Sequence, residues 1–356
     1  MAIDYQSKLA ELMVLAAQQG ASDLHLSVGK HPTVRIDGNL IPVSSEPILT
    51  PEMSAGLISA LLTPEQEEKL IEQRELDFAF SYEDKIRFRI NVYFQRGYLS
   101  AALRLITTHI RTIEELNLPP ILHEFSKYNQ GFILVVGPAG HGKTTTLAAI
   151  IDEINHKRMD HIITIEDPIE YTFSQDRALI DQREVGSDTL SFHNGLRSVL
   201  RQDPDVVMIG EMRDPESISI ALTAAETGHL VFSTLHTNSS SQTIDRIIDS
   251  FPASQQNQVR SQLASALVGI VSERLVPRIS GGRIPACEIM FANAAVKNLI
   301  REAKTYQLDL VIDTSTQEGM TSLNRSLIEL VRKREISLEA AETYSLNPSE
   351  LRQLLG

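Results

Sequence analysis

The sequence predicts an α/β protein in two parts: a parallel sheet with helices on both faces, preceded by a smaller α+β domain. Three observations carry this. From residue 131 onward, the short apolar runs "GFILVVG", "HIITIE", "VVMIGE" and "HLVFSTL" alternate with stretches of helical pattern, as strands of a parallel sheet alternate with their crossover helices. Before them, strand-like alternation is mixed with helical spacing over residues 1–105. Between the two, "TIEELNLPPIL" carries Pro119-Pro120, which breaks any helix and stiffens the link. The expected division is 1–105, a connector over 106–120, and 121–356, the last part entirely helical from about residue 290.

Taken in order, Leu9, Leu12, Met13, Ala16 and Ala17 recur at helical spacing, and Gly20 stops that helix. "DLHLSV" and "TVRIDG" alternate as strands do, with Asp37-Gly38 as a turn. Residues 51–75 are helical, with Thr50-Pro51 and Thr63-Pro64 as helix starts. "RFRINVYFQRGYLSAALRLI" is one or two arginine-rich strands, and polar turns such as "TQEG" and "LNPS" punctuate the final helices. No internal repeat or low-complexity tract interrupts this order.

The 356 residues suffice for two or three domains with cores. Hydrophobic residues make up 42% and charged ones 22%, and the formal net charge is −13. That balance disfavours nucleic acid as a main partner, because duplex binding is driven by Lys and Arg neutralising phosphates. Cys287 stands alone, which excludes an intramolecular disulfide and a cysteine zinc site and fits a reducing compartment. The opening "MAIDYQSKLAELMVLAAQQG" lacks the basic start of a signal peptide, and Asp4, Lys8 and Glu11 interrupt its apolar residues. No apolar run approaches the roughly 20 residues that span a bilayer. The expectation is a cytosolic protein that meets membranes through a protein partner.

The stretch "ILVVGPAGHGKTTTLAAIIDEIN" is the most informative. Gly137, Gly142, Lys143 and Thr144 fit G-x-x-x-x-G-K-[ST], with a strand before and a helix after. Glycines at Gly137, Gly140 and Gly142 let the backbone of Gly137, Pro138, Ala139, Gly140, His141 and Gly142 curl, so that successive N–H groups point at anionic oxygens. The helix that follows presents its positive end, with Lys143, Thr144 and Thr145 in its first turn. Lys143 is expected to reach the β- and γ-phosphates of ATP, and Thr144 to place its hydroxyl on Mg2+.

Binding alone needs no more, but hydrolysis needs a metal ligand and a group to orient water. "IITIEDPIEY" supplies Glu166, Asp167 and Glu170 at the C-terminal end of a strand, the end that faces ligands in an open α/β sheet. "DVVMIGEMRD" supplies Glu211 in the same manner. His229 and His236 bracket the strand of "TGHLVFSTLHTNSS". They stand at opposite ends of that strand, so hydrogen bonding to phosphate, or relaying the nucleotide state to the next helix, fits them better than a shared metal.

In order, "GPAGHGKTTTLAAIID", "ITIEDPIEY", "DPDVVMIGEMRDPESI", "ALTAAETGHLVFSTLHTNSS" and "AVKNLIRE" resemble the motifs of the type IV pilus retraction ATPases, within the secretion ATPase superfamily. They correspond to that family's Walker A, Asp box, Walker B, His box and AIRNLIRE-like motifs, and "GASDLHLSVGKHPTVRIDG" is similar to its PAS-like N-terminal domain. The resemblance covers nearly the whole chain. It implies a RecA-like ATPase domain behind a PAS-like domain, ATP and Mg2+ as cofactors, and a homohexameric ring. That ring would act on an inner-membrane pilus platform protein to power retraction and twitching motility, with a paralogous pilus ATPase as a further partner.

Carried over by position, the resemblance makes Glu170 the glutamate that activates water, Glu211 the metal-side glutamate, and His229 and His236 the His-box pair. Arg89 and Arg104, with Arg87 beside them, match the N-terminal arginines that reach the nucleotide. A guanidinium there would meet the charge that spreads over the γ-phosphoryl oxygens. His141 stands where the family carries a small residue, outside the fixed positions of the loop, and Lys297 keeps the positive charge where the last motif has arginine. Two other readings accompany this one: an accessory retraction subunit dependent on a partner motor, and a secretion or DNA-transfer motor, which the acidic balance and the missing zinc cysteines disfavour.

Overall fold

In the first helix, α1 (Tyr5–Gln18), the Asp4 carboxylate accepts from the N–H groups of Gln6 and Ser7, satisfying donors that the helix itself cannot. Leu9, Leu12, Met13 and Ala16 then fall on one face and are buried, so truncating Leu12 should cost about 2–5 kcal/mol. The structure, a computed structural model, describes residues 4–36, 38–82, 86–106, 110–212 and 214–355. Asp37 of the expected turn and residues 107–109 of the expected connector lie outside them. The chain divides into two compact units, one of residues 1–108 with 170–172, the other of 109–169 and 173–356.

The first unit is a six-stranded antiparallel sheet in the order β3-β2-β1-β6-β5-β4. Its strands are β1 (Asp23–Leu26), β2 (Thr33–Ile36), β3 (Asn39–Pro42), β4 (Glu75–Tyr82), β5 (Ile86–Gln95) and β6 (Tyr98–Ile106). The arginine-rich stretch is two strands, folded back at Arg96 and Gly97, both with positive φ, as a two-residue hairpin turn requires. In β5, Phe88, Ile90 and Val92 are buried with α1, while Arg89 alternates onto the other face. Helices α2 (Pro51–Ser59) and α3 (Pro64–Gln73) start at the expected Thr-Pro pairs, and Thr63 forms a reciprocal capping box with Gln66.

The second unit is built on a seven-stranded sheet in the order β13-β12-β7-β11-β10-β8-β9. Strands β7 (Gly131–Val136), β8 (His161–Glu166), β10 (Val206–Ile209) and β11 (Leu230–Leu235) are the four expected apolar runs, and they pair in parallel. Three further strands were not anticipated: β9 (Leu179–Glu184), β12 (Leu267–Pro277) and β13 (Arg283–Phe291), the last antiparallel at the edge. Phe132, Leu134 and Val136 of β7 join a core with helices α5 (Phe192–Val199), α6 (Pro215–Glu226), α7 (Ser240–Asp249) and α8 (Ala253–Ala266). Ile133 and Val135 alternate to the opposite face, and α4 (Lys143–Lys157) also packs on β7. Helices therefore cover both faces. After β13 come α9 (Ala294–Arg301), α10 (Leu308–Thr314), α11 (Leu323–Arg332), α12 (Leu338–Tyr344) and α13 (Pro348–Leu355), with short 3-10 turns between them. Among the described residues, no helix is long and apolar enough to cross a membrane.

Candidate nucleotide-binding site

At the end of β7 the backbone turns at Gly137, with φ 151°, and enters α4 through Gly142, with φ 96°. A Cβ on Gly137 would lie 2.5 Å from the Glu273 carbonyl oxygen, and one on Gly142 would lie 2.5 Å from Glu273 Oε1. Both positions therefore demand glycine, for conformation and for space. Eight other helices, including α1, α6 and α7, are capped by a side chain of their own. No side chain caps α4, which starts at Gly142. Its first N–H groups and its positive end thus face the loop that precedes it, an arrangement that suits phosphate.

Lys143 is buried, and its Nζ donates to the Pro138 carbonyl at 3.0 Å, folding over the loop. The same Nζ lies 3.4 Å from His236 Nδ1. An ammonium has donors only, so Nδ1 accepts and the ring proton sits on Nε2. That nitrogen is 3.3 Å from Glu211 Oε1. Strand pairing explains the line Lys143–His236–Glu211: Leu235 pairs with Val136 of β7, and Ile209 of β10 pairs with Ser233 of β11, so all three residues emerge at one edge of the sheet. Thr144 and Thr145 are half-buried in the first turn of α4, while Ala139 and Gly140 are exposed.

His141 is accommodated as a strut. Its Nδ1 accepts from the Leu275 N–H at 2.9 Å, and its ring sits 6.3 Å from that of Tyr344. Burial, reinforced by Arg274, Arg283 and Lys143, holds its pKa below the usual histidine value. Arg283 donates to the Gly140 carbonyl at 3.2 Å, tying the loop to β13 as well.

The other anticipated residues are placed differently. Glu166 is buried and accepts from Thr164 Oγ1 at 2.6 Å and Gln182 Nε2 at 3.1 Å, both within β8 and β9. Asp167 is exposed and precedes Pro168 through a cis peptide bond. Glu170 is exposed and belongs to the three-residue segment grouped with the first unit. Within that unit, Arg104 is directly opposite Arg89 in register; its Nε lies 3.0 Å from Asp23 Oδ1, and Arg89 Nε lies 3.9 Å from Asp77 Oδ1. His229 is not brought to the loop. It sits just before β11, seven residues ahead of His236, a separation of about 23 Å at the rise of a strand. Its Nδ1 donates to the Ala224 carbonyl at 2.9 Å, closing the end of α6. The expected His-box pair is thus divided within this chain.

One residue was missed. Glu273 of β12 is buried beneath the loop, its Oε2 accepting from Thr146 Oγ1 at 2.6 Å. Burial raises its pKa to about 7, against the Thr146 hydroxyl and the Lys143 charge, which pull it down. In sequence, nothing in "VSERLVP" marks Glu273 as buried. Only the register that pairs Ser272 with Val136 puts Glu273 beside Gly137. Glu273, Gly142, Thr145, Thr146, Arg278 and Arg283 are among the residues around a cavity of about 390 Å³, within the range of small-molecule sites. Among the described residues, no cluster of three or more His, Cys, Asp or Glu could hold a metal ion. The Thr144 hydroxyl in the first turn of α4 and the Glu211 carboxylate are oxygen donors of the kind that Mg2+ takes.

Residues 5–322 match the family model of the type II/IV secretion system proteins. The chain is 45% identical to the type IV pilus retraction ATPase PilT of Pseudomonas aeruginosa over 96% of its own length and 98% of the relative. It is 38% identical to the type IV pilus ATPase PilU of the same organism, over 98% of this chain and 90% of that one. A crystal structure of the pilus retraction motor PilT with bound ADP superposes with a TM-score of 0.89 at 46% identity, covering 96% of this chain and 98% of that chain.

Proposed function

The chain belongs to the type II/IV secretion system protein family, and from that premise we propose that it is an ATP-hydrolysing motor that retracts type IV pili. The observation that supports this most strongly is the meeting of a glycine-cradled helix N-terminus, a buried Lys143, and Glu211 held through His236, at one sheet edge. On this reading the N–H groups of residues 137–145 and Lys143 hold the phosphates of ATP. Thr144 and Glu211 would hold Mg2+, which supplies charge neutralisation at the phosphates. His236 keeps Glu211 and Lys143 in register. Glu170 orients water, and Arg89 and Arg104 meet the phosphoryl charge. Their present carboxylate partners would be exchanged for phosphate, a step eased by the exposure of the Arg89 pair and of the Arg104 side chain.

The motor is a homohexamer at the cytoplasmic side of the inner membrane, where it acts on the pilus platform protein. A paralogous pilus ATPase works beside it, and nucleic acid is not its main partner. Its domains are 1–105 and 121–356, joined by 106–120. The greater identity to PilT than to PilU favours the motor over the accessory role. Two measurements test the reading: Mg2+-dependent ATP turnover by the purified chain, and pili and surface motility after deletion of its gene. Turnover, with excess pili and lost motility, is expected. Normal motility in the deletion, or no turnover with ATP and Mg2+, would overturn it.

A further inference from the structure

We propose that Glu273 is a positioning residue for the phosphate loop that works as the neutral acid, and that nucleotide binding draws one proton from solution onto it. The geometry comes first. Glu273 touches the loop at both ends: its backbone carbonyl crowds Gly137 and its Oε1 crowds Gly142. Its Oε2 is engaged by the Thr146 hydroxyl, one turn into α4. With that hydroxyl donating to Oε2, the acid proton belongs on Oε1, against the Gly142 turn. The side chain is therefore a wedge that sets the distance between the end of β7 and the start of α4. Between them runs the loop whose N–H groups, with those of the first turn of α4, would hold phosphate. This inference rests on the nucleotide reading given above.

A carboxylate fixed there would repel the anion that the loop is built to hold. The groups facing Glu273 do not remove that conflict. On α4 there is Lys143, whose charge helps ionise Glu273 in the free protein but is the charge that phosphates would claim. On β13 there is Cys287, directly opposite in register and kept a thiol by burial and by Glu273 itself, and Arg283, which is tied to Gly140. On the loop there is His141, held neutral. Arg274 lies on the same strand and Arg278 just past its end, and Arg278, Arg111 and Glu115 line the adjoining cavity. In the free protein, burial already sets Glu273 near half-protonation at neutral pH. Adding phosphate removes the help of Lys143 and adds negative charge, so the pKa rises further and a proton is taken up above pH 7.

The experiment is calorimetric titration of ADP into the full chain at pH 6, 7 and 8, in HEPES and in Tris, whose ionisation enthalpies differ. The difference between buffers counts protons. At pH 8 the terminal phosphate of ADP is already ionised, so uptake there belongs to the protein. Uptake should approach one proton at pH 8, and ADP affinity should fall up to tenfold from pH 7 to 8. Uptake by His141 would instead grow toward pH 6. Glu273→Gln should abolish the uptake and flatten the affinity profile. Absence of uptake by the wild type at pH 8, or equal uptake by Glu273→Gln, would overturn the proposal while leaving nucleotide binding intact. A wild type that binds no ADP at any pH would overturn both readings.

Discussion

The two flanks of the phosphate loop are built on opposite principles. On the β11–β10 flank, ionisable groups stand in a line at the sheet edge: Lys143, His236 and Glu211 are joined through donors and acceptors that a ligand can exchange for its own. On the β12 flank, a single carboxyl, Glu273, is sealed beneath the loop with one hydroxyl for a partner. The first flank carries charge at lower cost because buried Lys143 is paired and His236 and Glu211 keep part of their side chains in water. The second carries an acid whose charged form is penalised by burial. One sheet thus offers charge where phosphate chemistry needs it and suppresses charge where the backbone itself must hold the anion.

Substitutions on each flank test that difference, beginning with the greatest expected effect. For the proposed water-activating residue, Glu170→Gln should keep ATP binding and reduce turnover on the order of 100-fold or more, as loss of a group that activates water does. Steady-state rates beside a nucleotide-binding assay measure both, and a normal rate would move the role to another carboxylate. Lys143→Ala should weaken ATP binding roughly 10- to 100-fold through loss of a charge-assisted contact. Unchanged affinity there would undo the assignment of the loop.

On the sealed flank, Thr146→Val should strand Glu273 without its donor and cost about 1–3 kcal/mol in denaturant unfolding. It should also steepen the pH dependence of stability. The folded pKa of Glu273 is raised above its usual value of 4.5 to about 7, so its favourable contribution is complete below pH 4.5 and is lost as pH rises through 7. That loss is roughly 3 kcal/mol, and Glu273→Gln should remove it. The smallest effect belongs to the first unit. Arg104→Ala should change stability by less than about 1 kcal/mol, because its pair with Asp23 is mostly exposed on the arginine side. A tenfold loss of turnover in that variant would show that Arg104 serves the nucleotide rather than the sheet.

The legible parts of this molecule were those whose physics is local in sequence. The glycine loop could be read because turn conformation, helix dipole and lysine reach are all set within eight residues. The four central strands could be read because burial on both faces leaves continuous apolar runs. β9, "LIDQRE", escaped because it is an edge strand with polar residues on its exposed side, and "VSERLVP" hid Glu273 because nothing local marks which neighbour a strand will meet. His229 and His236 stand at opposite ends of β11, as their places around one apolar run require. Glu166 followed the expected strand, yet its partners Thr164 and Gln182 belong to the sheet, which only the pairing of β8 with β9 reveals.

The most direct test of the central claim is ATP turnover by the purified full chain, with and without Mg2+, compared with Glu211→Gln under conditions where both bind nucleotide. Phosphate release that requires Mg2+ in the wild type and falls at least tenfold in the variant is the predicted result. Release at the wild-type rate in Glu211→Gln, or none from a wild type that binds ATP and Mg2+, would contradict it.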